Sequence, residues 1–291
     1  MNYEFHNPVL VEKVLDLLVK DLGGTYVDAT IGGGGHSERI LQKLLPTGKL
    51  IGIDADEDAV IFSRKRFGDR VLIFRCNFSN LSDLLSDLKI SRIDGILFDL
   101  GISSYQIDNA EKGFSFSKEG ILDMRFDKNQ FLNARYIVNN YNEAELTQIF
   151  RIYGEEKFSR RIAKEIVRQR KFNPINTTTE LSGIIGNVVN KRFINKTLAR
   201  VFQALRIEVN KEMDVLKKGI TDALNLLRSN GRIVVISYHS LEDRIVKNIF
   251  KTYSQQNLIK ILTKKPIVPE KSEIQTNPRS RSAKLRAAEK I

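Results

Sequence analysis

Two neighbouring stretches decide the fold: Thr25-Tyr26-Val27-Asp28-Ala29-Thr30-Ile31-Gly32-Gly33-Gly34-Gly35-His36-Ser37 and Leu50-Ile51-Gly52-Ile53-Asp54. Residues 25–29 are a short, strand-like apolar run that enters a glycine loop. Ser37 to Leu45 then reads as a helix, with Ile40, Leu41, Leu44 and Leu45 on one face. Strand, glycine loop, helix, strand and acidic residue follow one another as in the mononucleotide-binding half of a doubly wound α/β sheet. The glycines let the backbone turn sharply and let a ligand approach without a Cβ in the way. Asp54 closes the second strand about 20 residues past them, where a carboxylate accepts hydrogen bonds from ribose hydroxyls.

Two cofactor classes use such a loop. Nicotinamide dinucleotides call for G-x-G-x-x-G, with the pyrophosphate over the helix N-terminus. Here Ser37 stands where the third glycine belongs. S-adenosylmethionine carries no phosphate but has an ammonium and a sulfonium. Asp28, ending the first strand, suits a cation and would repel a pyrophosphate. The loop therefore favours a methyl donor, with the dinucleotide as the alternative and a ligand-free glycine turn as the plainer reading.

Outward from the loop the alternation continues. Asp58 to Arg66 reads as a helix, Val71 to Phe74 as a strand, Leu81 to Leu88 as a helix and Ile93 to Asp99 as a strand. Strands that are apolar throughout predict a parallel sheet covered on both faces. From Asn109 to about Arg206 the pattern changes to loops and helices. The clearest helix there spans Glu155 to Lys171, with Phe158, Ile162 and Ile166 as its apolar stripe. A further helical stretch runs from Leu198 to Leu227, with a break near Asn210. Gly231 to Ser237 is again a buried strand, and Asn257 to Leu262 a further one. The economical division is a discontinuous α/β domain, 1–108 and 206–291, interrupted by a helical insertion, 109–205.

In such a sheet, ligands sit beyond the carboxyl ends of the strands. The residues there are Asp28, Asp54, Asn77-Phe78, Asp99 and His239. Phe78 is either a platform for an adenine face or ordinary core. Asp99 ends a buried strand, where a carboxylate is costly unless paired or liganded; its plainer role is to cap the next turn. His239 is a catalytic candidate by position and a structural histidine otherwise. No G-x-S-x-G elbow supports a hydrolase. The single cysteine, Cys76, excludes a disulfide framework and a multi-cysteine metal site, so no metal is expected. It lies on the third strand, away from Asp99, and reads best as a small buried residue. That disfavours methylation of a pyrimidine carbon, which needs a cysteine nucleophile, and favours an amine, oxygen or ring nitrogen as acceptor.

The chain has 291 residues and a net charge of +12. Its composition is globular, and it has no apolar run of membrane-spanning length. The beginning, with Glu4, His6 and Pro8, is not a signal peptide, and a reducing, cytoplasmic setting is expected. The charge is uneven. Residues 1–150 hold 17 basic and 22 acidic side chains, 151–206 hold 13 and 4, and 259–291 hold 9 and 3. Charge runs are commonly solvated faces, but two basic clusters beside an acidic half look like a footprint for phosphates. The insertion and the tail are expected to flank the cleft above Asp99. A basic RNA-binding module with a vestigial fold is the alternative to an enzyme.

The motifs resemble one family closely: the bacterial S-adenosylmethionine-dependent methyltransferases that modify the exocyclic N4 amine of a cytidine in the decoding centre of small-subunit ribosomal RNA. The matching stretches begin with His6-Asn7-Pro8-Val9-Leu10, the loop from Asp28 to Ser37, Ile53-Asp54-Ala55-Asp56 and Asp94 to Ser104. They continue through Gly113-Phe114-Ser115-Phe116, Leu122-Asp123-Met124-Arg125, Tyr153-Gly154-Glu155-Glu156 and Arg200 to Ile207. The last are Ser237 to Arg244 and Asn277 to Ser282. Tyr105 and Tyr238 depart from the pattern, which often has proline and phenylalanine there. The resemblance implies a Rossmann-like class I methyltransferase fold, a seven-stranded sheet with an inserted helical domain that engages RNA. It implies cofactor contacts at Gly34, Gly35, His36, Asp54, Phe78, Asp99 and Gln106, of which His36 and Gln106 come from the family alone. Asp99 and His239 are the catalytic candidates. The implied partner is small-subunit ribosomal RNA within the 30S particle, with no membrane and with a homodimer as a candidate assembly. The implied chemistry is direct in-line methyl transfer.

Overall fold

The structure is a computed structural model that describes residues 8–291. His6 and Asn7 of the first family motif lie outside the described residues. In chain order the elements are α1 (Val11–Leu18), β1 (Thr25–Asp28), α2 (Gly35–Lys43), β2 (Lys49–Asp54), α3 (Glu57–Phe67), β3 (Leu72–Arg75), α4 (Leu81–Asp87) and β4 (Ile93–Asp99). Then come α5 (Ser104–Asp108), α6 (Ala134–Asn140), α7 (Glu143–Ile152), α8 (Ser159–Gln169), α9 (Thr178–Gly186) and α10 (Ile194–Asn210). The chain closes with α11 (Glu212–Leu226), β5 (Leu227–Ser237), α12 (Ser240–Gln255), β6 (Ile259–Ile261), α13 (Lys271–Thr276) and β7 (Lys284–Lys290).

These elements form two compact units. One comprises 8–101 and Met213–Ile291, the other Ile102–Glu212. The first is a seven-stranded sheet in the order β3-β2-β1-β4-β5-β7-β6. Strands β1 to β5 pair in parallel, as expected. The sheet as a whole is mixed rather than parallel, because β7 runs antiparallel to both β5 and β6. Alternate residues along each strand feed two separate cores. Val27, Ile51, Ile53, Ile96, Phe98, Ile233 and Val235 pack on one face, and Tyr26, Leu50, Leu97, Val234, Ile236 and Leu285 on the other. Both faces are therefore covered, which is why these strands read as unbroken apolar runs.

Strand β7 carries no such signal. Lys-Leu-Arg-Ala-Ala-Glu-Lys has the composition of a helix. Its place between β5 and β6 is secured by partners distant in sequence: Arg286 pairs with Asp243 at 2.6 Å, and Arg232 of β5 with Glu289 at 2.8 Å.

The second unit has its own core, with Ile137, Leu146, Phe150, Ile162, Ile166, Val201 and Leu205 at its centre. Its best-marked helix, α8, begins at Ser159 rather than Glu155. Glu155 adopts a left-handed conformation (φ 48), and Glu156 Oε1 accepts the Phe158 N–H, so the chain turns before the helix starts. Gly154 permits this turn: a Cβ there would come 2.7 Å from the carbonyl oxygens of Phe150 and Arg200. The expected break near Asn210 is a left-handed Lys211 (φ 50) between α10 and α11. The Asn210 side chain donates to the Met124 and Arg206 carbonyls and accepts the Phe126 N–H. Among the described residues no helix is long and apolar enough to cross a membrane.

Candidate active site

The parallel strands end on a row of acids: Asp28, Asp54 and Asp99. Burial pushes the Asp28 carboxyl above its ordinary range, even though the Ser37 hydroxyl donates to it at 2.7 Å. Ser37, which broke the dinucleotide fingerprint, thus holds this carboxylate. Asp54 accepts the Gly32 N–H and the Asp56 N–H, each at 2.9 Å, which locks the glycine loop to β2. Desolvation nonetheless lifts its carboxyl to about 6. Both shifts come chiefly from burial, which disfavours the ionised carboxylate.

The loop forms a cradle. Gly32 and Gly34 both have positive φ (49 and 78). A Cβ on Gly34 would lie 2.3 Å from the Phe67 ring, so no other residue fits there. Gly34 caps α2, which starts at Gly35 and carries His36 and Ser37 in its first turn. The helix ends at Lys43, short of the expected Leu45: Leu44 is extended, and Pro46 disfavours a helical Leu45.

His36 is 6% exposed, and neither ring nitrogen has a hydrogen-bond partner among the described residues. Its Nε2 stands 3.5 Å from Asp99 Oδ2, too long for a well-formed hydrogen bond. The Asp99 backbone N–H donates to Thr30 Oγ1 at 2.7 Å, and the Tyr238 hydroxyl donates to Asp99 Oδ1 at 2.9 Å. Burial and the Asp99 charge hold the Tyr238 phenol well above its ordinary range, so it remains a donor. Gly101 (φ 105) leaves room for the Tyr238 ring.

His36, Asp28 and Asp99 are thus brought together, with Asp54 at the end of β2 bonded to the loop. Phe78 follows β3 and packs edge-on to Phe98 at 5.4 Å while remaining partly exposed. His239 sits at the N-cap of α12, where its Nδ1 accepts the Glu242 N–H and its Nε2 lies 3.2 Å from Glu242 Oε1. That is a capping box, and it leaves the buried Nε2 without a hydrogen-bond partner among the described residues. Gln106 belongs to the other unit and forms a capping box with Ser103 at the start of α5. Cys76 is half-buried, its thiol pushed up by desolvation. Tyr238 is the residue that sequence reasoning missed: it was noticed only as a departure from a family pattern. Its contact with Asp99 follows from the register that sets Asp99 opposite Ile236.

The basic tail divides between the two ends of the sheet. Lys260, Lys264 and Lys290 line a groove beside the amino end of β5, whereas Lys284 pairs opposite Ser237 at its carboxyl end, the end that carries Asp99 and Tyr238.

A mixed seven-stranded sheet with its single antiparallel strand next to the edge, and a glycine loop and acids at the carboxyl ends, defines a Rossmann-like class I methyltransferase. A profile of the MraW methylase family matches residues 3–291, and the chain belongs to that family. Ribosomal RNA small subunit methyltransferase H of Caldicellulosiruptor saccharolyticus is 48% identical over 98% of this chain and 99% of its own. The protein of the same name from Clostridium botulinum strain 657 is 47% identical over 98% and 99%. That of Halothermothrix orenii is 44% identical over 98% of each. A crystal structure of an rRNA methylase from Streptococcus thermophilus aligns at TM-score 0.46 and 12% identity, over 97% of this chain and 93% of that one, too remote to carry an argument. The protein is thus a methylase, its cofactor S-adenosylmethionine, and the nicotinamide alternative falls away. The site fits that cofactor: Gly34 admits no Cβ, Asp54 and Asp99 present partly exposed carboxylates at the strand ends, and the buried His36 ring has unspent hydrogen-bonding atoms.

Proposed function

We propose that this methylase acts on small-subunit ribosomal RNA, and that its acceptor is the exocyclic N4 amine of a cytidine in the decoding centre. The observation that carries the reading is the Asp99 carboxylate at the end of β4, whose Oδ1 accepts the Tyr238 hydroxyl. Asp99 is 24% exposed on its side chain. With Oδ1 bound by Tyr238, Oδ2 accepts no hydrogen bond among the described residues. It is available to an amine N–H donor.

An exocyclic cytosine amine is a poor nucleophile because its lone pair is delocalised into the ring. The site must hold the nitrogen at about 3–3.5 Å from the methyl carbon and in line. It must also accept the amine hydrogens as charge develops on nitrogen. Asp99 serves as that acceptor; the Tyr238 hydroxyl restrains its carboxylate and Thr30 anchors its backbone. Asp54 would hold the ribose hydroxyls of the cofactor, the Gly34-Gly35 turn and His36 its amino-acid end, and Phe78 its adenine. Gln106 is proposed as a further cofactor contact and His239 as a second catalytic residue. S-adenosylmethionine supplies an electrophilic methyl group. Extrusion of a stacked or paired base costs a few kcal/mol. Phosphate contacts of the helical unit would offset that cost. On α8 the side chains of Arg160 and Lys164 are exposed and have no carboxylate within 4.0 Å among the described residues, whereas Arg168 is tied to Glu165 at 2.6 Å.

The test offers the purified protein labelled S-adenosylmethionine with small-subunit RNA, large-subunit RNA, DNA and ribosomal protein as separate acceptors. Label is expected in small-subunit RNA alone. Label in another acceptor, or in none, contradicts the reading.

A further inference from the structure

Five lysines line one groove of about 840 Å³ in the sheet unit: Lys247 and Lys251 of α12, Lys260 of β6, Lys264 just beyond it and Lys290 of β7. Their convergence follows from local geometry. Lys247 and Lys251 are four residues apart on a helix and therefore share a face. Lys260 lies between Ile259, which is buried, and Ile261, so it points away from the core. Lys290 is the register partner of Ile259. A bulge supplies the remaining wall. Leu227 pairs with Ile93 and Arg232 with Gly95, so residues 228–231 loop out of the ladder and bring Ser229 and Asn230 to the groove.

The groove's charge is unbalanced. Among the described residues none of the five ammonium groups has a carboxylate within 4.0 Å. The one acidic side chain in the lining, Glu289, is paired with Arg232 at 2.8 Å and stands opposite Lys260 in the β6–β7 register. Arg286 is likewise closed off by Asp243. Lys247, Lys251, Lys260 and Lys264 are exposed, so none of these charges bears a burial cost that a fold would need to justify.

We infer that this groove is a second RNA-binding surface, which takes the phosphate backbone of the substrate remote from the reacting base. The inference rests on the reading of the substrate as RNA. Five ammonium groups without an ion pair within 4.0 Å, along a groove walled by hydroxyl and amide side chains, match a run of phosphates with no base readout. The groove opens at the amino end of β5, and Asp99 lies beside its carboxyl end. Six residue steps of strand, from Gly231 to Ser237, at about 3.3 Å each separate the two by about 20 Å. One nucleotide cannot reach both, so the occupant is an extended or folded RNA. The groove then contributes to holding substrate and nothing to the methyl transfer itself.

The test compares the full-length protein with the Lys247→Gln, Lys251→Gln, Lys260→Gln, Lys264→Gln variant and with its counterpart carrying arginine at the same four positions. Binding of a fluorescent uridine homopolymer is followed against salt concentration. The glutamine variant is expected to lose affinity and to flatten the log K against log salt slope by about 3, from four contacts at about 0.7 each. Its KM for small-subunit particles is expected to rise by about tenfold or more. Its kcat and cofactor affinity should be unchanged, which also reports an intact fold, and the arginine variant should behave as the parent. An unchanged slope and KM in the glutamine variant overturn the inference. So does loss of binding to anionic lipid vesicles or to a polyglutamate peptide without loss of RNA binding. If the parent binds RNA through the groove but methylates none, the groove stands and the substrate reading fails.

Discussion

The Tyr238 hydroxyl donates to Asp99 Oδ1 at 2.9 Å, across the boundary between the carboxyl ends of β5 and β4. Tyr238 is itself held by its backbone, whose N–H donates to Glu242 Oε2 at 2.8 Å. The chain from Glu242 through Tyr238 to Asp99 fixes one carboxylate oxygen and leaves the other available. Tyr238→Phe keeps the ring and removes the bond. A hydrogen bond to a charged acceptor contributes about 1.5–3 kcal/mol where it is fully formed. Because Asp99 is partly solvated, a fall in kcat of about 3- to 10-fold is expected, with cofactor affinity unchanged. Steady-state kinetics with separate cofactor titration check this. A loss of cofactor affinity at constant kcat would place Tyr238 in cofactor binding instead.

His36 makes a sign-opposed expectation. Its two buried nitrogens lack partners, which costs the free protein stability. His36→Phe removes those nitrogens at nearly constant shape. The free variant should melt at the same temperature as the parent or higher. Its thermal shift with S-adenosylmethionine should nonetheless shrink, because a hydrogen-bonding partner for the cofactor is gone. Differential scanning calorimetry with and without cofactor reads both halves. A variant that melts lower and binds cofactor normally contradicts the assignment.

Asp54 sets a pH dependence. Its carboxyl is raised from 3.8 to about 6, chiefly by desolvation. A ribose hydroxyl needs the ionised form as acceptor, so cofactor affinity should fall as pH drops through about 6. Binding near pH 6 should release protons, detectable by calorimetry in buffers of different ionisation enthalpy. Stability of the free protein should respond in the opposite direction. The folded state binds this proton more tightly than the unfolded chain, so Asp54 lowers stability progressively as pH rises from about 4 to 6. Asp54→Asn should flatten the affinity profile over that range.

Two glycines are expected to diverge. Gly34→Ala places a methyl group against the Phe67 ring in a left-handed conformation. It should cost at least about 1–2 kcal/mol of stability and weaken cofactor binding severalfold. Gly183→Ala lies in α9 with nothing within 4 Å of the new methyl group. It should stabilise by about 0.5–1 kcal/mol through helix propensity alone. Denaturant titration of both variants checks the contrast.

The first hundred residues were legible because physical constraints there coincide with local sequence. Strands buried on both faces must be apolar throughout, so the run from Ile93 to Asp99 announces both its state and its end. Asp28, Asp54 and Asp99 could be placed at the ligand edge because each closes such a run. Strand β7 was not legible, since its buried arginine and its glutamate are tolerated only through partners on other elements. The Tyr238 contact was hidden for a related reason: it depends on the register of β4 against β5, which neither segment encodes alone. At His239 the sequence shows only the position at the sheet edge; the cap that its Nδ1 forms on α12 depends on the local backbone turn.

The most direct measurement of the central claim uses small-subunit particles purified from a strain lacking this protein. The particles are incubated with methyl-labelled S-adenosylmethionine and the protein, and the RNA is digested to nucleosides and mapped. The account predicts label in N4-methylated cytidine at a single decoding-centre position, and its loss with Asp99→Ala. Label on any other nucleoside, or none above background, would contradict it.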